Sequence, residues 1–237
     1  MGETVRITAH DGGDFSGYLA RPPGDRAPGI VLIQEIFGVS AFMRATADRY
    51  ASLGFAVLSP DLYWRQKPGV ELSDRTEAEW NEARALGKSM DEGLALEDLR
   101  SAVDRLRSAP GADGRVGCVG YCMGGRLAFL MAARQSSDCA VGYYAVGIET
   151  RLAQAGPIRA PLMLHIAGRD AWCPVSAQRK IHEALDGNAL ATLHDYPEAD
   201  HAFARAGGKN HDPATAELAD LRSLAFLDRH LRGGKPR

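Results

Sequence analysis

The sequence predicts an α/β fold in which a mostly parallel sheet is covered by helices on both faces. Two observations carry this prediction. Short runs of apolar and β-branched residues alternate with longer segments of helical periodicity along the chain. The apolar runs are continuous rather than alternating, which indicates strands buried on both faces, as they are in a parallel sheet.

These apolar runs are the predicted strands of the sheet. They lie at residues 30–33, 56–58, 116–119, 140–144, 162–166 and 192–194. Two segments nearer the N-terminus, residues 5–8 and 15–20, are joined by Asp11-Gly12-Gly13 and predict an antiparallel hairpin. An antiparallel start followed by βα units matches the plan of the α/β-hydrolase fold.

Helical periodicity follows most of these strands. The predicted helices are residues 41–53, about 76–106, 123–134, 176–185 and 213–231. Gly54 marks the end of one helix, and Gly87 marks a break in the long one. The chain has no internal repeat and no low-complexity linker, so its 237 residues, 1–237, are expected to form a single α/β-hydrolase domain.

Composition excludes several classes of protein. The formal net charge is -2 without a basic block, which argues against nucleic-acid binding. The longest apolar runs are too short to span a bilayer, and the N-terminus lacks the apolar segment of a secretory signal. The four cysteines have no disulfide-framework spacing. We therefore expect a cytoplasmic protein with reduced thiols, a small-molecule substrate, and a monomeric or weakly homo-oligomeric state.

Residues 120–124, Gly-Tyr-Cys-Met-Gly, carry the most specific motif of the chain. They match the G-x-S-x-G nucleophile pattern with cysteine in place of serine, between a predicted strand and a predicted helix. Such a turn strains its central residue and exposes that side chain, and the helix N-terminus favours a thiolate. The motif predicts that Cys122 is the nucleophile of an acyl hydrolase. The alternative is that Cys122 is a buried small apolar residue.

Hydrolases of this plan place the acid and then the histidine after the nucleophile. Of the five histidines downstream, at positions 165, 182, 194, 201 and 211, His201 alone follows a polar loop after the last strand. Asp170 lies in the loop after the preceding strand, and its carboxylate would accept a hydrogen bond from one ring nitrogen of His201. The alternative for Asp170 is a turn residue that caps the helix near Ser176.

Acyl transfer also needs N–H donors for the oxyanion. The backbone N–H of Met123, directly after the nucleophile, is one candidate, and that of Ile36, in the loop after an early strand, is the other. Glu35 is unusual in that loop because a charge directly after a buried strand needs solvent or a partner. It is either a solvated carboxylate or a group beside Cys122.

The sequence resembles the dienelactone hydrolases, also called carboxymethylenebutenolidases, through nearly its whole length. The blocks Glu-Ile-Phe-Gly at residues 35–38 and Gly-Tyr-Cys-Met-Gly-Gly at residues 120–125 together are specific to that family. Further matches lie at residues 60–63, 65–66, 140–144, 168–170 and 200–205.

The resemblance implies an α/β-hydrolase fold, a triad of Cys122, His201 and Asp170, and no metal or organic cofactor. Family members open enol lactones, chiefly the dienelactone formed in catechol breakdown, to maleylacetate. The glutamate that matches Glu35 contacts the resting cysteine and takes the thiol proton when substrate binds. The arginine that matches Arg205 binds the substrate carboxylate, for which the guanidinium fork is well suited.

The sequence departs from the family pattern in the long helical segment. Where the family has a second carboxylate-binding arginine and a tyrosine, an ungapped alignment places Trp80 and Arg84. Arg84 lies one helical turn after Trp80 and could present a guanidinium to the same cleft, and Arg75 is another possible substitute. Otherwise the pocket is changed, and Trp80 accepts a bulkier or less charged substrate.

Three rival functions are compatible with parts of this pattern. A broad carboxylesterase or thioesterase would use the same triad with a different acyl pocket, and Trp80 favours it. A non-catalytic ligand-binding protein would require a broken triad or a missing oxyanion loop. A redox thiol protein would require a second cysteine close to Cys122.

Overall fold

The computed structural model describes residues 2–24 and 26–233. The two ends of the predicted domain, residue 1 and residues 234–237, lie outside the described residues. The chain forms two compact units, Met1–Gly117 and Cys118–Arg237. Over the described part of the chain, no helix is both long and apolar enough to cross a membrane.

The first unit contains both antiparallel strand pairs of the sheet and one parallel pair. Its strands, in the order β1-β2-β4-β3, are β1 (Glu3–Thr8), β2 (Asp14–Ala20), β4 (Ala56–Pro60) and β3 (Ala27–Ile33). The first two strands form the predicted hairpin, β2 pairs antiparallel with β4, and β4 pairs parallel with β3. All seven residues of β3 are buried, which explains its uninterrupted apolar sequence.

Helices cover both faces of this part of the sheet. They are α1 (Ala41–Ser52), α2 (Glu77–Ser89) and α3 (Glu92–Arg107). The Tyr18 hydroxyl donates to Asp48 of α1, whereas its neighbour Gly17 points to the opposite face. The strand registers place Gly29 on the same face as Gly17, and Gly29 lies against Leu106 of α3. Helices α1 and α3 therefore lie on opposite faces.

The predicted break in the long helical segment is present, but its predicted position at Gly87 is wrong. Helix α2 continues through Gly87, and the interruption falls at Met90 and Asp91, where the Asp91 side chain caps α3. A Cβ atom at Gly87 would lie 3.2 Å from the side chain of Ile36. The glycine thus permits close packing of the helix rather than ending it. By contrast, Gly54 follows α1 with a φ of 85°, as expected of a residue that ends a helix.

The second unit contains the parallel part of the sheet. Strand β5 (Ala112–Tyr121) begins in the first unit and ends in the second, and the order continues through β6 (Ala140–Tyr143), β7 (Leu162–Ala167) and β8 (Ala191–Tyr196). Each neighbouring pair from β5 to β8 is parallel. The carboxyl ends of these strands, where α/β proteins carry their sites, therefore lie at one edge.

Helices also cover both faces here. They are α4 (Met123–Ala133), α5 (Leu152–Ala155), α6 (Val175–Leu185) and α7 (Pro213–Leu231), with a 3₁₀ turn at Ile148–Thr150. Gly142 of β6 faces Gly125 of α4, whereas the next residue, Tyr143, donates to Asp220 of α7. The predicted fold class is confirmed: a mostly parallel sheet, helices on both faces and an N-terminal hairpin. The 3₁₀ turn and α5 are too short to show periodicity and were not predicted.

Candidate active site

Cys122 occupies a strained turn between β5 and α4. Its φ of 54° and ψ of -115° are rare for a residue with a side chain. A Cβ atom at Gly120 would overlap the carbonyl oxygen of Gly124, so only glycine allows strand and helix to approach this closely. The Cys122 N–H donates to the carbonyl of Tyr143, 3.0 Å away. The strand–turn–helix geometry inferred from the motif is present.

Asp170 and His201 are brought together from separate loops. The Nδ1 atom of His201 lies 2.7 Å from Oδ2 of Asp170, and Asp170 is buried. The other carboxylate oxygen accepts the backbone N–H of Trp172 at 2.8 Å. The alternative of a helix cap is wrong, because Pro174 occupies the N-cap position of α6. Both oxygens of Asp170 are thus engaged, and one is directed at His201.

The ring of His201 is also hydrogen-bonded to the sulfur of Cys122. Burial lowers the pKa of His201, but the charge of Cys122 and the hydrogen bonds to Asp170 and Cys122 outweigh burial and raise that pKa to about 10. An imidazole with this pKa holds its proton near neutral pH. The arrangement therefore favours an imidazolium between a carboxylate and a sulfur.

This raised pKa has a consequence for stability. An ordinary histidine has a pKa of about 6.5. The folded state binds the His201 proton more tightly than the unfolded state, so its contribution is complete below about pH 6.5 and is lost as pH rises towards 10. We expect the free-energy difference between wild type and His201→Asn to shrink over that range, measured by urea unfolding. The exposed His10, replaced by Asn, is the control, and a difference that grows with pH would contradict this assignment.

An aromatic wall made of Tyr144 and Phe203 lies beside His201. The ring of Tyr144 meets it edge-on, with centroids 5.1 Å apart, and Phe203 packs against Tyr144 at 5.4 Å. Tyr144 has a positive φ of 35°, as does Ala202 at 64°. Sequence reasoning assigned no role to this wall. The signal available was an aromatic pair at the end of the strand that follows the nucleophile.

Met123 and Arg205 lie in the same unit. Met123 is the first residue of α4, so its N–H stands at the helix N-terminus rather than in the i→i−4 ladder. Arg205 is partly buried in a turn after His201, and its backbone N–H donates to the carbonyl of Ala202 at 3.0 Å. Their assigned roles, oxyanion donor and carboxylate binder, stay predictions.

The predicted residues Glu35 and Ile36 belong to the first unit. Glu35 is 1% exposed, so the alternative of a solvated loop carboxylate is wrong. The carbonyl of Ile36 accepts the Tyr63 hydroxyl at 3.1 Å, which fixes the loop that carries both residues. Their roles towards Cys122 stay predictions.

Trp80 and Arg84 form a cluster with Phe37 in the first unit. The Trp80 ring meets Phe37 edge-on at 5.0 Å, and the Arg84 guanidinium lies 5.2 Å from the Trp80 ring centre. The Trp80 indole N–H donates to the carbonyl of Asp74 at 3.1 Å. These contacts place the pair beside the loop of Glu35, whereas Arg75 lies on the exposed turn before α2.

Two further features bear on the rival functions. Among residues 2–24 and 26–233, no group of three or more His, Cys, Asp or Glu side chains is arranged to bind a metal ion. The four cysteines are free thiols, and of these only Cys122 is not buried.

The topology and the strained cysteine turn define a protein of the α/β-hydrolase class. Residues 15–231 match the model of the dienelactone hydrolase family, and the chain belongs to that family. It is therefore a hydrolase of lactones or esters.

Individual relatives agree with this assignment. The chain is 46% identical over 231 residues to a protein of Azospirillum brasilense, with 96% of this chain and 98% of that protein covered. It is 40% identical over 225 residues to the carboxymethylenebutenolidase of Pseudomonas putida, with 95% of each covered. A solved structure from Klebsiella pneumoniae has a TM-score of 0.83 at 26% identity, with 97% and 98% covered.

Proposed function

We propose that the protein opens a carboxylated enol lactone, of which dienelactone is the model, through a thioester on Cys122. The observation that carries the proposal is the strained Cys122 turn beside a hydrogen-bonded His201 and Asp170 pair. The carboxymethylenebutenolidase of Pseudomonas putida, a relative over nearly the whole chain, supports the choice of a lactone. The product that we propose is maleylacetate.

The first half of the proposed reaction forms the thioester. The substrate carboxylate binds Arg205, with Arg84 as a second candidate cation, and Glu35 takes the proton of the Cys122 thiol. The sulfur then attacks the lactone carbonyl, and the N–H groups of Ile36 and Met123 stabilise the oxyanion. The ring C–O bond breaks as the tetrahedral intermediate collapses, and the enolate leaves as part of the same molecule.

The second half hydrolyses the thioester. Acylation removes the sulfur charge that raises the pKa of His201, and the ring gives its proton to the enolate. The neutral ring, oriented by Asp170, then takes a proton from a water molecule, and the water oxygen attacks the thioester carbonyl. The C–S bond breaks, the thiolate of Cys122 takes back its proton from Glu35, and the enol product tautomerises to the ketone. A thiol suits this substrate because the enolate is a good leaving group, whereas an amide would need a placed proton donor.

The role of Arg205 has a direct test. We expect Arg205→Ala to raise KM for carboxylated lactones by about tenfold or more, because a desolvated guanidinium–carboxylate pair is lost. Neutral esters should be hydrolysed nearly as before. Steady-state kinetics on a panel of lactones with and without a carboxylate measure the difference. The control is Arg169→Ala, which removes an exposed guanidinium paired with Glu198. Equal losses on charged and neutral substrates would remove this role from Arg205.

A broad carboxylesterase or thioesterase is the second candidate function. The cluster of Trp80 with Phe37 and Arg84 favours it, because an indole beside the predicted oxyanion loop suits bulkier, less charged acyl groups. Comparing kcat/KM for dienelactone with that for p-nitrophenyl acetate decides between the two. A preference for the acetate ester would support the broad esterase.

The remaining proposals concern the whole protein. We propose that residues 1–237 act as one α/β-hydrolase domain, supported by a family match that spans both units. We further propose a cytoplasmic enzyme, monomeric or weakly homo-oligomeric, that uses no cofactor and binds neither nucleic acid nor membrane. The four free thiols and the near-neutral charge support these assignments.

A further inference from the structure

A fully buried histidine lies on β7, the strand that precedes the loop of Asp170. His165 of β7 is 1% exposed, and both of its ring nitrogens are hydrogen-bonded. Nδ1 lies 2.8 Å from the hydroxyl oxygen of Tyr196 on β8, and Nε2 lies 2.8 Å from Oγ of Ser223 on α7. Burial, and then the charges of His194 and Arg222, hold the pKa of His165 well below its ordinary value, so the ring is neutral. One nitrogen therefore donates and the other accepts.

The hydrogen bonds that lead from His165 to Asp220 determine which nitrogen of His165 donates. An ionised carboxylate only accepts, so the Tyr143 hydroxyl donates to Asp220, 2.8 Å away. The oxygen of Tyr143 is then left to accept the Ser223 hydroxyl at 2.7 Å. Oγ of Ser223 must in turn accept from His165. The acidic end thus requires the proton on Nε2 of His165.

The basic end is compatible with the same tautomer. A guanidinium only donates, and Nη1 of Arg222 donates to the Tyr196 hydroxyl oxygen at 3.2 Å. With the proton of the neutral ring on Nε2, Nδ1 of His165 accepts, and the Tyr196 hydroxyl is free to donate to it. Between Arg222 and Asp220, every donor has one acceptor. All of the hydrogen bonds therefore point from Arg222 towards Asp220.

We propose that this directed hydrogen-bond chain positions the three loops of the triad. Its members are Arg222, Tyr196, His165, Ser223, Tyr143 and Asp220, and we name it the hydroxyl–imidazole chain. It begins and ends on α7 and passes through three neighbouring strands, so it fastens the helix to the ends of β6, β7 and β8. This inference rests on the proposed function of the triad.

Backbone hydrogen bonds connect the hydroxyl–imidazole chain to the loops that carry the triad. The carbonyl of Tyr143 accepts the N–H of Cys122 at 3.0 Å. The carbonyl of Tyr196 accepts the N–H of Gly168, two residues before Asp170, at 2.8 Å, and that of Ala199, two residues before His201, at 3.0 Å. Tyr143 and Tyr196 both contribute their side chains to the hydroxyl–imidazole chain. Through their carbonyls they also hold the turns that carry all three triad members.

The members of the chain are positioning residues, because they act on the triad through the backbone. Nucleophile, base and acid must be held to within a fraction of an ångström, and a 1 Å misplacement can cost on the order of 100-fold in rate. Loss of a link in the chain should therefore lower kcat, whereas substrate binding should change little.

The first test removes one hydroxyl. In Tyr196→Phe we expect kcat for the lactone to fall at least about tenfold with KM nearly unchanged. The matched control is Tyr18→Phe, which loses a hydroxyl bonded to Asp48 at 2.8 Å in the first unit and should keep kcat. Circular dichroism at the assay temperature establishes that both variants are folded. A folded Tyr196→Phe protein with wild-type kcat would overturn the proposal.

The second test asks whether the direction of the chain matters. A glutamine at position 165 offers a carbonyl acceptor and an N–H donor, whereas leucine offers neither. We expect His165→Gln to retain more of kcat than His165→Leu, with both variants assayed below their melting temperatures. Equal kcat values in the two folded variants would show that packing alone is required and would overturn the proposal.

The third test uses the wild-type protein and no activity measurement. Nitrogen NMR of isotope-labelled protein identifies the tautomer of each histidine, and we expect His165 to carry its proton on Nε2. A proton on Nδ1 would overturn the direction of the chain even if the triad works as proposed. Conversely, loss of the proposed function in the triad experiments would leave the tautomer unaffected, so the two failures are distinguishable.

Discussion

Replacing Cys122 by alanine is expected to abolish lactone hydrolysis while leaving the protein folded. The thiol forms the covalent bond to the substrate, and a methyl group cannot replace it. The loss in kcat should be on the order of 10⁶-fold, as for removal of the nucleophile from a serine triad. The substitution removes only the hydrogen bond to His201 and changes the side-chain volume little. The circular dichroism spectrum should therefore be unaltered. Steady-state kinetics and mass spectrometry of the enzyme after mixing with substrate provide the measurement.

The control for this substitution is another cysteine. Cys139 is fully buried, and burial raises the pKa of its thiol well above the ordinary value. Cys139→Ala should lose some stability through the cavity it leaves, yet it should keep its kcat and still acquire the acyl group. A Cys122→Ala protein with full activity would remove the proposed mechanism entirely.

Much of the fold could be predicted because its signals are local. A strand buried on both faces must be apolar throughout, and β3 and β7 are such strands. The nucleophile turn is equally local, since Gly120, Cys122 and Gly124 lie within one motif. Local signals were misleading where a tertiary contact decides. Gly87 allows α2 to pack closely on Ile36. The periodicity of the sequence does not reveal this contact.

The candidate site was predictable only in part. The order of nucleophile, acid and histidine along the chain selected Asp170 and His201, which are 31 residues apart and meet at 2.7 Å. His165 looked like an ordinary strand residue, because its role depends on partners from β8 and α7. The burial of Glu35 was likewise beyond reach, since a carboxylate after a strand is compatible with either solvent or a partner.

Backbone strain marks two of the three loops that the triad uses, those of Cys122 and His201, together with the turn after β6. Cys122, Tyr144 and Ala202 all have positive φ, at 54°, 35° and 64°. Such conformations cost about 1–3 kcal/mol each and persist only where the surroundings enforce them. The hydroxyl–imidazole chain is a candidate for that enforcement, because it fastens the ends of β6 and β8, after which Tyr144 and Ala202 lie, and the carbonyl of its member Tyr143 accepts the N–H of Cys122.

Replacing Asp170 by asparagine is expected to have the second large effect, and it should fall on the second half of the reaction. Asparagine can still accept the N–H of Trp172, so the loop should keep its shape. Its amide nitrogen would then face Nδ1 of His201 and donate to it, which selects the wrong tautomer. In serine triads the corresponding change lowers kcat by about 10⁴-fold.

The thiol makes this loss more selective than it would be for serine. If Glu35 deprotonates Cys122, then formation of the thioester needs His201 less than its hydrolysis does. We therefore expect Asp170→Asn to show a burst of one equivalent of opened lactone followed by slow turnover, with the acyl-enzyme visible by mass spectrometry. The matched control is Asp212→Asn at the N-cap of α7, a position where asparagine caps as well as aspartate. Slow turnover without an acyl-enzyme would mean that Asp170 and His201 already act in the attack of the thiol, and that Glu35 does not replace them.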